Sequence, residues 1–172
     1  MAGRGAIAGL VLCGLAVACG PLRTTVETEF TDAMDRQAQA ALGPGTARIA
    51  GSAFMRKANG SFISAGGDWV YLTPWTPYAA ERFSKLYGGQ RMNDGGIAVT
   101  TPADPRYVAA MRKVKAERSG RFAFDEVKAG RYFVSTALFW YPEGPWDTRG
   151  ATLYDEVTVK DGETASVVLS GK

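Results

Sequence analysis

The side chains that could do chemistry in this chain are few, and their types restrict it more than their number does. Histidine is absent. That removes the commonest general base and the commonest transition-metal ligand, and it excludes a Ser-His-Asp triad. Cysteine occurs only as Cys13 and Cys19, so the chain beyond the N-terminal region has neither a disulfide nor a thiol ligand. The acidic pairs are Asp125-Glu126, Asp155-Glu156 and Asp161-x-Glu163. Adjacent residues on a strand point to opposite faces, so the neighbouring carboxylates are no preformed acid–base dyad and read as solvated turns. No EF-hand-like loop occurs, and no G-x-S-x-G. The glycine-rich stretches 43–45, 88–89 and 95–96 lack the lysine and the strand–loop–helix setting of a phosphate-binding loop. No catalytic residue, metal ligand or cofactor is predicted, and the chain is not read as an enzyme.

What remains is binding through aromatics. Trp75, Tyr78, Trp140 and Trp146 stand outside the clearest alternating runs or at their ends. Exposed together on one rim, tryptophan and tyrosine stack sugars or grip a protein; buried, the same rings fill a core or anchor a loop. Trp75, Tyr78 and Trp146 are the candidate binding residues. Twenty Lys and Arg against 17 Asp and Glu give a net charge of +3, too small to imply nucleic acid. The one basic cluster, Arg112-Lys113-Val114-Lys115, reads as the solvated face of a strand.

The leader carries the remaining chemistry. Arg4 precedes an apolar run at 6–17. That run is too short to span a membrane, which takes roughly 20 residues, and it fits a secretory h-region of roughly 7–15. It ends in Leu15-Ala16-Val17-Ala18-Cys19, which resembles the lipobox of bacterial lipoproteins; Ala18 fits the pattern, and Ala16 stands where leucine is usual. The resemblance implies cleavage before Cys19 and acylation of Cys19 on its sulfur and its amine. Several acyl chains make a stable anchor. In a two-membrane host, Gly20 after the cysteine implies the periplasmic face of the outer membrane. The same residues also read as an ordinary secretory signal with an A-x-A site at Ala16 and Ala18, leaving Cys19 a free thiol.

The elements follow from period. A polar spacer covers 20–25. Val26, Phe30, Met34, Ala38 and Leu42 recur at helical spacing, so a helix is predicted over 27–42, capped by Thr24 and Glu27 and ended by Gly43-Pro44-Gly45. Its acidic face favours packing or a protein partner over anionic lipid. Strand signals follow at 46–54, with a turn at Asn59-Gly60, and at 69–74, where Trp69, Tyr71 and Thr73 share a face opposite Val70 and Leu72. Thr76-Pro77 begins a helix on which Ala79, Phe83 and Leu86 align, and Gly88-Gly89 ends it. A short strand at 97–100 and a helical turn from Asp104-Pro105 complete an insertion over about 74–110. Ser119-Gly120 predicts a hairpin between Val114–Ala116 and Phe122–Phe124. In 131–141, Tyr132, Val134, Thr136, Leu138 and Trp140 share one face, and Phe133, Ala137, Phe139 and Tyr141 the other. A strand apolar on both faces lies between two layers, and a helix is expected over the outer face. A last hairpin is predicted from 153–160 and 164–169 around Asp161-Gly162.

The spacing G-x-F-x-F…V-x-A-G-x-Y-x-V over Gly120–Val134, with Val70-x-Leu72-x-Pro74, resembles the carboxypeptidase regulatory-like family, whose fold is similar to prealbumin (transthyretin). The resemblance covers roughly 46–172. It implies a mostly β, seven-stranded Greek-key prealbumin-like sandwich, here with an N-terminal helix and a helical insertion. It implies no specific activity, because such domains occur beside many. The expected organisation is a lipoprotein signal peptide at 1–18, a lipid-anchored tether and helix at 19–45, and the β-sandwich at 46–172. The expected function is that of a non-catalytic cell-envelope protein held at the membrane by Cys19, with a protein partner, or else a glycan or peptidoglycan module using exposed aromatics. Loops carry function more often than cores, which places the binding surface on 74–110, with Trp75 and Tyr78 at least partly exposed.

Overall fold

Alternation decides the strands, and two layers of apolar side chains decide how they stack. A computed structural model of the chain describes residues 20–57, 59–142, 144 and 147–171. In chain order the elements are β1 (Leu22–Thr24), α1 (Asp32–Ala41), β2 (Ala47–Arg56), β3 (Phe62–Ser64), β4 (Trp69–Pro74), α2 (Pro77–Tyr87), β5 (Met92–Asn93), β6 (Ile97–Val99), α3 (Pro105–Ala109), β7 (Arg112–Lys115), β8 (Arg121–Val127), β9 (Gly130–Trp140), β10 (Arg149–Val159) and β11 (Thr164–Ser170). One sheet has the order β5-β10-β9-β4-β7. The other is built on β2, which pairs in parallel with β11 on one side and antiparallel with β8 and then β3 on the other.

The two sheets face each other across a core that includes Ile49, Val70, Leu72, Phe122, Phe124, Val134, Leu138, Leu153, Val157, Val159 and Leu169. Phe122 and Phe124 both point inward, as their alternation requires. Gly51 sits where β2 and β11 are register partners. A Cβ there would lie 2.1 Å from the Val167 carbonyl oxygen and 2.9 Å from Phe122 Cζ, so the close approach of backbone and ring excludes any side chain.

A second core lies on the opposite, outer face of the five-stranded sheet. Phe133 of β9 stacks on Phe83 of α2 with centroids 4.3 Å apart and planes 12° apart. Tyr78, Ala79, Tyr87, Tyr107, Val26, Phe30 and Ala38 complete this cluster. The helical cover expected over the outer face of 131–141 is therefore present, and α2 supplies it. Thr76 caps α2, its hydroxyl accepting from the Ala79 N–H at 3.1 Å, and Gly88 ends it in the left-handed conformation at φ 56°, where glycine carries no Cβ penalty.

Four expectations are corrected. Eleven strands rather than seven occur among the described residues, nine of them in the two facing sheets. The additional short strands include β5, which pairs with β10 at the edge of the larger sheet, and β1, which pairs in parallel with β6. The spacer 20–25 is accordingly part of the fold: the Leu22 N–H donates to the Gly96 carbonyl at 2.9 Å and the Thr100 N–H to that of Thr24 at 2.8 Å. The first helix starts at Asp32, capped by Thr31, not at Glu27. The amides of Glu27 and Thr28 donate instead to the Glu81 carboxylate at 2.9 and 2.8 Å, which holds the chain extended while Val26 and Phe30 are buried against α2 and α3. Finally, neither predicted hairpin pairs its own strands. Ser119-Gly120 and Asp161-Gly162 do turn the chain, but β7 goes to one sheet and β8 to the other, as do β10 and β11. These turns are arches over the sandwich edge, and the apolar faces they bring together belong to opposite layers.

Candidate functional site

The outer face of the five-stranded sheet is only half covered. Reading across it from β7 to β10, register pairs Lys113 with Tyr71 and Lys115 with Trp69, Tyr71 with Ser135, and Ser135 with Tyr154, Ala137 with Thr152 and Phe139 with Gly150. Helix α2 sits over the Phe133–Tyr154 side. The rest stays open and forms the floor of a groove.

Its deep part is a cleft of about 400 Å³. Tyr71, Thr73, Ser135 and Ala137 line it from the sheet; Phe83, Leu86, Tyr87, Tyr107 and Met111 line it from the insertion. A shallower hollow of about 180 Å³ continues past Leu86, Ala137 and Thr152 to Asn93, Phe139 and Gly150. The three shared residues make the two one channel. From Ser135 to Phe139 the strand rises roughly 13 Å, at about 3.3 Å per residue. Apolar and aromatic walls with a few fixed polar groups are the usual composition of a small-molecule site.

The polar groups come from identifiable places. Thr73 is 1% exposed, and its hydroxyl has no hydrogen-bond partner among the described residues. Burial pushes the Tyr87 phenol up to about 12, against the opposing effect of a hydrogen bond with the Thr152 side chain, and burial likewise pushes the Tyr107 phenol up. Both stay protonated at neutral pH. Arg82 donates to the Thr101 carbonyl at 3.0 Å and lies over the Tyr78 ring at 5.6 Å. At the outer rim Trp69 is 40% exposed and Phe139 58%, and the Lys113 and Lys115 ammonium groups lie over the Trp69 ring at 4.7 and 5.2 Å.

Neither the cleft nor the hollow is lined by a carboxylate. Two carboxylates are held low elsewhere. The Thr28 side chain and the Glu27 and Thr28 amides lower Glu81 to about 2, and Arg106 lowers Asp104. Both serve the packing of the insertion and the N-terminal segment. Among the described residues no group of three or more Cys, Asp or Glu side chains is placed to hold a metal ion.

The predicted binding residues fare differently. Tyr78 is 4% exposed, which corrects the expectation of an exposed ring. It packs edge-on between Phe30 and Tyr107, at 5.2 and 5.1 Å, and its hydroxyl accepts the Asp104 N–H at 2.9 Å. The N-terminal segment, outside the insertion and invisible to a helical-wheel argument, supplies the surface that buries it. Trp75 is half-buried beside a separate cleft of about 270 Å³. Its ring stacks on Arg131 at 4.7 Å and its carbonyl accepts from the Gln37 amide at 2.9 Å. Trp146 and Cys19 lie outside the described residues. The groove aromatics Trp69, Tyr71 and Phe139 were assigned to strand faces by alternation, but nothing in their spacing indicated which part of that face α2 leaves open. The insertion does contribute, as the groove's wall rather than as its platform.

A solved structure from Pseudomonas aeruginosa, of a candidate carbohydrate binding protein, is similar to this chain with a TM-score of 0.66 and 25% sequence identity, over 79% of this chain and 95% of that one. An (S)-allantoin synthase structure is 9% identical with a TM-score of 0.30, covering 80% of this chain and 46% of the other, and at that score carries no argument. No protein-family model matches the chain, and no curated protein matches it in sequence.

Proposed function

We propose that this chain is a non-catalytic, exported binding protein whose outer-face groove holds a glycan. The observation that carries the proposal is the open channel with Tyr71 and Phe139 along its floor and hydroxyls of Ser135 and Thr152 beside them. A pyranose has an apolar C–H face and an equatorial rim of hydroxyls. Aromatic faces accept the first, and short polar side chains fixed on strands accept the second. The similarity to a candidate carbohydrate binding protein supports the same class of ligand. Without histidine in the chain or a carboxylate lining the groove, no group there is suited to activate water, so binding without turnover is the fitting role.

The setting of the site belongs to the same proposal. The leader's lipobox-like end argues for acylation at Cys19 and a place in the cell envelope, on the periplasmic face of the outer membrane in a two-membrane host. The glycine and phenylalanine spacing around 120–134 argues for the carboxypeptidase regulatory-like, prealbumin-like type of sandwich. A protein partner is the second role for such an anchored module, and the exposed Phe139 and Tyr141 would serve it.

A glycan array probed with the purified protein, alongside Tyr71→Ala and Phe139→Ala variants, tests the assignment. Wild-type protein should retain a defined set of glycans, and each variant should lose most of that signal while keeping its circular dichroism. Retention unchanged by both substitutions would place binding elsewhere.

A further inference from the structure

The rim of the groove has a charge that its walls do not balance. Lys113 and Lys115 lie on the edge strand β7 and face the same side of the sheet as their register partners Tyr71 and Trp69. Both are exposed, and both ammonium groups gather over one indole ring. Seven arginine–carboxylate pairs bridge the described surface, yet neither lysine belongs to one. Arg112, at the start of the same strand, turns away and donates to the carbonyls of Asp125 and Glu126. The groove adds a third cation, Arg82, and no anion. Asp68 precedes Trp69 in the chain but pairs with neither lysine.

Two ammonium groups held beside one ring repel each other, and an indole face attracts each only weakly at an exposed site. An anion between them would relieve the repulsion and gain charge-assisted hydrogen bonds from both. The ring matters to the geometry. It gathers two long, flexible side chains at the mouth of the groove, so less freedom remains to be lost when an anion arrives.

We propose that the groove is selective for an acidic glycan, whose carboxylate or sulfate group lies on Lys113 and Lys115 beside Trp69 while its sugar rings follow the floor toward Phe139. The proposal rests on the glycan-binding assignment and narrows it to one charge class.

The test is an array of neutral and acidic glycans, followed by titration of the best retained glycan against wild type and a Lys113→Gln/Lys115→Gln double variant, with anionic phosphatidylglycerol vesicles as a parallel probe. The retained glycans should be acidic. The double variant should lose about tenfold in affinity, the equivalent of about 1.4 kcal/mol, with melting temperature unchanged. Wild-type affinity should fall as salt is raised, because exposed charges are screened beyond about 8 Å at physiological ionic strength. Neutral glycans retained in preference, or equal affinity in the double variant, would overturn the acidic selectivity and leave the glycan site standing. No retained glycan would overturn both, and lysine-dependent vesicle binding in that event would mark the rim as a lipid-facing surface.

Discussion

Thr73 carries a hydroxyl that the fold buries and does not satisfy. A buried polar group without a partner costs roughly 1–3 kcal/mol, whereas removing it with a residue of the same shape is close to neutral or stabilising. Thr73→Val should therefore raise unfolding stability by about 1 kcal/mol in urea denaturation and leave glycan binding unchanged. A loss of stability would mean that the hydroxyl is bonded within the protein. The faces of Trp69, Tyr71 and Thr73 were legible from alternation alone, because the period of a strand is two. That Thr73 would be sealed by α2 while Trp69 stayed open depended on where an 11-residue helix comes to rest, and no local pattern encodes that.

At the scale of elements, one carboxylate hydrogen-bonds the N-terminal segment to α2. Glu81 accepts the amides of Glu27 and Thr28, and these bonds hold it at about 2 against an ordinary 4.5. A folded value below the unfolded one gives stability that is present above pH 4.5 and is lost as pH falls through about 2. Acidification across that window should release the segment from α2 before the sandwich unfolds. Hydrogen exchange at the Glu27 and Thr28 amides measures this directly. Glu81→Gln should lower their protection relative to the intrinsic exchange rate at neutral pH and remove most of the pH dependence of that protection between 5 and 2; amides that stay protected in the variant would show that packing of Val26 and Phe30 suffices. The same bonds explain the late start of α1. Apolar spacing from Val26 onward fits a helix, but an acceptor on another element took the first amides, and Thr31 became the cap.

At the scale of the whole molecule, Cys19 stands close in sequence to the first strand. Strand β1 begins at Leu22, three residues after Cys19, a span of about 10 Å when extended. An acyl anchor at Cys19 would hold the sandwich against the bilayer rather than at the end of a flexible tether. No helix among the described residues is long and apolar enough to cross a membrane. Cys19→Ser should move the protein from the membrane to the soluble fraction or leave it unprocessed, as read by fractionation and by labelling with a radioactive fatty acid. Label retained by the variant would rule out Cys19 as the acylated residue.

The sequence by itself determined the longer strands, their inward faces, the caps of α2 and α3, and the two-sided burial of 131–141, because each follows from a local period or a capping residue within one turn of it. Phe122 and Phe124 had to point one way, and Thr76-Pro77 had to open a helix. Only the tertiary structure decided which strands share a sheet, since an arch and a hairpin use the same turn residues and differ only in which strands their backbone groups pair with. It decided that Tyr78 is buried, because the surface covering it comes from Phe30, far away in the chain. It also decided the groove, because an opening on a sheet is defined by what a helix fails to cover, and the boundary of that cover is set by the packing of Phe83 on Phe133 rather than by any residue in the groove itself.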